Sequence, residues 1–430
     1  MSDIRDWTGL RSGPRNPAGV LAVALAAISI AATQPAASAD DASLKLAALS
    51  SYQAGFDMLI EAFAAEYPNI DIAATYYEAG QAYATTIPTQ FAGGSGTDLV
   101  FVLAGRARPY SVTPFASAGY LADLSGESWV SSMYEPTKSL YEYDGAVRAR
   151  DLGIAPLALL SYSKAYFADN DVAIPTTFDE LLGVCAQIAA QGTIPIAWAG
   201  GSAVVNANNV ATLAGSTVLA ADPDWLAKRA AGEVTFAESE GWRRAVQHLA
   251  DMIDGGCFSP GAAGMPLAEM VTQFATGRSA MMFTSGILNG QVLQQTPDLD
   301  IGLFPPPGDV PEDTRVVVQP SGGMAVWTEA ANAEAANLFL DFISREDQAT
   351  VFARASQVIS PAEAAAGNLP GLYADLANYF ADGKVLSDPT AIWPNTDMNS
   401  NFGESLQGLF TGQKTVDEVL SDMDAFYDRQ

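Results

Sequence analysis

Apolar positions along the chain change period several times, and each change marks an element. Leu44–Leu49 is a short apolar run of strand length, and the polar turn Ser50-Ser51-Tyr52-Gln53 follows it. Phe56, Leu59, Ile60, Phe63 and Tyr67 then recur at helical spacing until Pro68 stops the pattern. Ile70–Tyr76 alternates as a strand, Tyr83–Phe91 returns to helical spacing, and Asp98–Leu103 is again a strand. This βαβαβ succession predicts a mostly parallel sheet covered by helices. Ligands of such open sheets bind at the carboxyl ends of the strands, so the loops Ser50–Gln53, Tyr77–Gln81 and Ala104–Arg108 become the informative ones.

A second α/β region opens near Ile154. Leu157–Tyr162 reads as a strand, Thr177 caps a helix over Phe178–Gln191, and Ile194–Trp198 is the next strand. Helices at Asp224–Ala231 and Glu238–Asp254 precede strands at Ala280–Phe283, Ile301–Phe304 and Gly323–Trp327. A helix over Ala330–Ser344 and a largely helical tail complete the chain.

At the N-terminus, Arg5, Arg11 and Arg15 precede the apolar run Val20–Ile30, and Ala37-Ser38-Ala39 supplies small residues at a cleavage-site spacing. This is the three-part pattern of a secretory signal peptide over residues 1–39. The run is short of the roughly 20 residues that a membrane span needs, and no cysteine near it indicates a lipid anchor. Export changes the prior for Cys185 and Cys257, an even pair in an oxidising compartment. A disulfide is expected, with two buried thiols as the alternative.

Composition then removes most other chemistries. The chain carries 21 Lys+Arg against 49 Asp+Glu, a net charge of -28, and has no basic cluster to overcome phosphate repulsion, which argues against nucleic acid. One histidine and two cysteines leave little for a zinc site, a haem or a Ser-His-Asp triad. His248 stands between apolar Val246 and Leu249 with no partner motif, and Gly93-Gly94-Ser95-Gly96 lacks the lysine of a phosphate loop. No cofactor is expected, and the apolar content of 49% supports sizeable cores.

The ordered set of local motifs resembles the family 1 extracellular solute-binding proteins of ABC transporters, the group of the maltose-binding proteins. Phe63–Ile70 is similar to the family's helix-then-strand opening, Gly93–Val100 to its glycine-rich approach to the third strand, and Leu160–Phe167 to its Tyr-Asn-Lys strand. Pro175–Leu182, Gly192–Ile196 and the Phe-Ala-Thr-Gly-Arg-Ser-Ala-Met-Met stretch Phe274–Met282 follow in the family's order. The resemblance implies an α/β, two-lobe periplasmic-binding-protein fold of type II, its lobes interleaved and joined by a hinge. The expected division is residues 40–153 plus 315–345 in the N-terminal lobe and 154–314 plus 346–430 in the C-terminal lobe. Crossings are expected near Leu152–Pro156, near Arg315 and near Ser344–Gln348. Asp151 stands near where the family usually has a hinge proline.

By the same resemblance, the protein is expected to be a periplasmic monomer that binds a carbohydrate, a mono- or short oligosaccharide, between closing lobes and delivers it to ABC transporter permease subunits without catalysis. Sugars call for carboxylates, amides and arginine forks beside aromatic platforms. Arg106, just past the third strand and at a family contact position, is the leading candidate, against the alternative of a surface salt bridge. Tyr52 and Gln53 follow strand one, and Glu78 and Gln81 follow strand two. Trp198, Asn206 and Asn208 are candidates from the second lobe, and Trp393 and Asn401 from the irregular stretch Ile392–Phe402. Core packing is the alternative for both tryptophans. Thr284–Leu288 lacks the tryptophan platform of many relatives, which disfavours a long malto-oligosaccharide. A polyol, a glycerol-phosphate-type ester and an exported glycoside hydrolase remain the alternative readings.

Overall fold

A computed structural model describes residues 42–429 except 79, 395 and 396; for Gln81, Thr284 and Ile287 it describes the backbone only. The predicted signal peptide, 1–39, lies outside the described residues.

The first sheet is built on Ala42–Leu49, whose residues 44 and 46–49 are buried. It pairs in parallel with Ile70–Tyr77 on one side and Leu99–Val102 on the other, with Leu46 opposite both Ala74 and Leu99. Gly323–Val326 then joins Leu99–Val102 antiparallel, and Arg150–Asp151 forms the far edge. The helix Gln53–Glu66 lays Phe56, Leu59 and Phe63 on this sheet, and Phe63 meets the rings of Phe339 and Phe342 at 5.2 Å edge-on. The glycine-rich approach before the third strand has a structural purpose. Buried Asp98 accepts the Lys45 N–H at 2.8 Å and the Asn332 N–H at 3.1 Å, tying three separate segments together.

The second sheet has the order Ile301–Phe304, Leu159–Ser163, Ser279–Thr284, Ile194–Ala197. Only Ser279–Thr284 and Ile194–Ala197 run parallel; Leu159–Ser163 is antiparallel to both of its neighbours. Thr177 caps the helix Phe178–Ala190, which buries Phe178, Leu181, Cys185 and Ile188. Cys185 and Cys257 are joined in a disulfide with a Cα separation of 5.0 Å, within the range such bonds require. His248 is a core residue. Its ring stacks on Phe178 at 3.6 Å and its Nε2 lies 3.0 Å from Asp309 Oδ1, which Arg244 also grips.

A third, smaller sheet consists of Val385–Ser387, Val316–Pro320 and Ile154–Pro156. Three segments of the chain meet beside it. Leu152 N–H donates to Gly322 O, Ser321 N–H to Gly153 O, and Ile154 and Ile359 exchange both backbone hydrogen bonds at 2.8–2.9 Å. Gly153 is required at this point, because its φ is +137° and a Cβ would lie 2.7 Å from Ile359 O. Beside it, buried Asp151 accepts the Tyr134 N–H at 3.1 Å and pairs with Arg150, so the residue at the expected proline position anchors the first lobe.

Val316–Val318, just past Arg315, are buried in the small sheet. The helix Glu346–Ser356 buries Phe352 in the first core, 5.0 Å from Phe56, and ends at Gln357 in a left-handed conformation with φ +57°.

Candidate functional site

The third strand ends at Val102, and the chain turns outward through residues 103–111 at the ligand-facing end of the first sheet. Gly105 has φ +70°, which lets the successive N–H groups of Arg106 and Ala107 converge on one acceptor, the Ala391 carbonyl, at 2.9 and 3.3 Å. A Cβ on Gly105 would overlap that carbonyl. Ala391 belongs to the short turn Pro389–Ile392, whose Ala391 and Ile392 pack against the first core while the following Trp393 is buried in the second.

That turn is held by Asp388. Its Oδ1 accepts the Thr390 N–H and its Oδ2 the Thr390 hydroxyl, each at 2.8 Å, and its own N–H donates to Val318 O of the small sheet. Burial pushes the Asp388 carboxyl up to about 6. Beside the contact lies a cavity of about 200 Å³. The loop supplies Ala107, Arg108 and Ser111, the helix Ala203–Ala214 supplies Val204 and Asn208, and Gln319, Asp388 and Asn399 close it. Ligand pockets commonly run from about 300 Å³ upward, and this one is smaller. Asn208 and Asn399 line it, and their side-chain carbonyls are buried without a hydrogen-bond partner among the described residues, a costly state.

A buried network sets the second-lobe wall. Trp198 Nε1–H donates to Asn206 Oδ1 at 2.8 Å, and Asn206 Nδ2 donates to Gly200 O and Gly403 O. The helix Met398–Phe410 approaches Ala203–Ala214 so closely that a Cβ on Gly403 would overlap the Ala203 carbonyl. That approach fixes Asn208 and Asn399 on the same wall.

The sequence candidates separate accordingly. Asn208 lines the cavity, and the exposed Arg106 borders it through its backbone. Trp198 and Trp393 are both essentially inaccessible, Trp198 packed among Phe258, Phe283 and Phe410 and Trp393 against Phe402. Asn206 is wholly buried in the network. Asn401 is half-buried on the helix that carries Asn399. Tyr52, Gln53 and Glu78 lie at the ends of the first two strands, outside the cavity lining, and the backbone of Gln81 starts the next helix. Tyr52 stacks between Phe101 and Phe352, and burial raises its hydroxyl to about 12; Gln53 reaches Asp57, and Glu78 accepts from Ser50 Oγ at 3.0 Å. Arg108, Asp388 and Asn399 escaped the sequence reading. Arg108 lies within the loop flagged as informative, and Asp388-Pro389-Thr390 carries a capping signature, but Asn399 has no local signal.

A larger cavity of about 310 Å³ lies between Gly286, Asn289, Gln357 and Tyr373. The smaller one gathers more polar side chains from separate segments of the chain, and it is the candidate site. Among the described residues no cluster of His, Cys, Asp and Glu fit to hold a metal ion is found.

Two α/β units, each with its own sheet and core and linked through the small third sheet, make a two-lobe periplasmic-binding-protein fold. The profile of bacterial extracellular solute-binding proteins matches residues 47–350, and the chain belongs to that family. No curated protein matches it by sequence. Solved structures agree in fold. The apo form of RafE from Streptococcus pneumoniae superposes with a TM-score of 0.75 at 16% identity, over 91% of this chain and 98% of that one. A family 1 extracellular solute-binding protein from Bifidobacterium longum subsp. infantis gives 0.74 at 19% identity, over 91% and 100%. A sugar transporter from Bacillus licheniformis, in complex with stachyose, gives 0.63 at 17% identity, over 89% and 98%.

Proposed function

We propose that this protein is the exported carbohydrate-binding component of an ABC importer, taking a mono- or short oligosaccharide between its lobes and presenting it to membrane permease subunits. The observation that carries the reading is the polar cavity, where Asn208 and Asn399 hold carbonyls unpartnered among the described residues beside Arg108 and Asp388. Hydroxyl-rich ligands supply the donors these groups lack. Similar folds hold raffinose in RafE and stachyose in the Bacillus licheniformis protein, and another is named a chitin oligosaccharide binding protein. A ligand that touches both walls binds the closed arrangement better than the open one and shifts the population toward closure. Binding is the whole of the activity, with no covalent step, and the periplasm is its place of work after removal of residues 1–39.

The test is a thermal-shift screen of sugars and polyols on the exported protein. A ligand confined to the native state raises stability by about 2.7 kcal/mol at a hundredfold excess over Kd. Stabilisation by a saccharide supports the reading; stabilisation by amino acids alone removes it. Hydrolysis of a glycoside that one Asp or Glu substitution abolishes would overturn the non-enzymatic part.

A further inference from the structure

Arginines of the described residues are nearly all engaged. Among the described residues, Arg148, Arg150, Arg229, Arg243, Arg244, Arg278, Arg315, Arg345 and Arg354 have their guanidinium groups hydrogen-bonded or ion-paired, and Arg429 lies over the Phe426 ring. Arg106 and Arg108 are the exceptions: their side chains are exposed and make no hydrogen bond or ion pair. In a chain with 49 acidic and 21 basic residues, carboxylates to pair with them are plentiful elsewhere. Yet the two guanidinium groups stand open on the loop that borders the cleft.

Gly105 turns the chain so that the N–H groups of Arg106 and Ala107 both donate to the Ala391 carbonyl, which holds the loop in place beside the cavity. Among the described residues the cavity lining holds one acidic side chain, Asp388, and both of its oxygens are engaged by Thr390 in its own turn. Guanidinium forks match the planar oxygens of carboxylates and phosphates, and they add little that is specific to a neutral sugar hydroxyl.

We propose that the solute of this cleft is an anionic polyhydroxylated molecule, its carboxylate or phosphate held by Arg106 and Arg108 and its hydroxyls by Asn208 and Asn399. This rests on the carbohydrate reading of the cleft and narrows it. The anion belongs at the loop side, where the cations are, and the ring belongs between the amides.

Isothermal titration of the exported protein tests this with three sets of probes. D-galacturonate and digalacturonate carry a carboxylate, glucose 6-phosphate and glycerol 3-phosphate carry a phosphate, and D-galactose and raffinose are neutral. At least one anionic probe is expected to bind tenfold or more tightly than its neutral counterpart, more weakly as salt rises, and the set it comes from identifies the anion. Arg106→Ala and Arg108→Ala are each expected to weaken that binding about tenfold while the unliganded melting temperature stays unchanged; Arg→Lys replacements should recover part of the loss. Neutral probes binding as well as the anionic ones, or anionic binding indifferent to both alanine variants, would overturn this inference and leave the carbohydrate reading standing. Failure of all six probes would count against both.

Discussion

On the first-lobe side the cleft is one loop, residues 103–111, hung from the end of a parallel strand, with its arginines free. On the second-lobe side it is assembled from three segments, near Asn208, Asp388 and Asn399, locked by a polar network inside the core. One wall presents charge on a backbone that needs only its own glycine. The other presents neutral amides whose position depends on Trp198, Asn206 and Gly403. The contrast teaches that a wall's contact residues and its supporting residues separate differently on the two sides. In the first they neighbour one another in the loop, and in the second they are far apart in sequence.

Substitutions should therefore divide into those that damage the scaffold and those that damage only the contacts. Gly403→Ala is expected to have the largest effect, about 3 kcal/mol of stability lost in urea unfolding, because the new methyl overlaps the Ala203 carbonyl in a packed helix pair. Trp198→Phe comes next. It leaves Asn206 Oδ1 without its donor in the core, a loss of about 2 kcal/mol by the same measurement, with weaker ligand binding as the Asn208 wall shifts. An unchanged unfolding midpoint for either variant would break the comparison, since the second wall would then not rest on this network.

Asp388 gives a smaller effect with a definite sign. Its native carboxyl titrates near 6, above the usual range for an aspartate, so between about pH 4 and 6 the folded protein binds more protons than the unfolded chain. Stability from this group is therefore highest below pH 4 and falls as pH rises through 6. Asp388→Asn should remove that slope and gain roughly 1 kcal/mol at pH 7.5, a modest figure because the amide keeps only one of the two oxygens that Thr390 engages. His248 acts in the opposite direction. Burial lowers it to about 4, so its contribution is present above pH 6.5 and is lost as pH falls toward 4. Only the difference between wild type and Asp388→Asn, measured across pH 4–8, isolates the aspartate. Smallest of all should be the stability change on the first wall: Arg106→Ala and Arg108→Ala are exposed and unpaired, and the unliganded protein should change by less than about 0.5 kcal/mol.

The same contrast explains what the sequence could reveal. The first wall was readable because local periods placed three strands and the loops after them, and Arg106 lies just beyond the third. Asn206 and Asn208 show why the second was not. They sit two residues apart on one helix, yet one points to Trp198 in the core and the other to the cavity. The phase of that helix is set by Met398–Phe410, nearly two hundred positions away, and no local pattern reports it. Trp198 and Trp393 follow the same logic, since a ring at the end of a strand or in a loop reads alike whether it meets solvent or phenylalanines. The helix Glu346–Ser356 is amphipathic and fits either lobe by pattern. Its ring contacts with Phe56 and Tyr52 decide the matter.

A crystal structure with a saccharide that stabilises the protein bears most directly on the location of the site. Ligand density is expected between the loop 103–111 and the side chains of Asn208, Asp388 and Asn399, with a guanidinium of Arg106 or Arg108 on it. Density in the larger cavity between Gly286, Gln357 and Tyr373, with the cleft empty, would contradict the account.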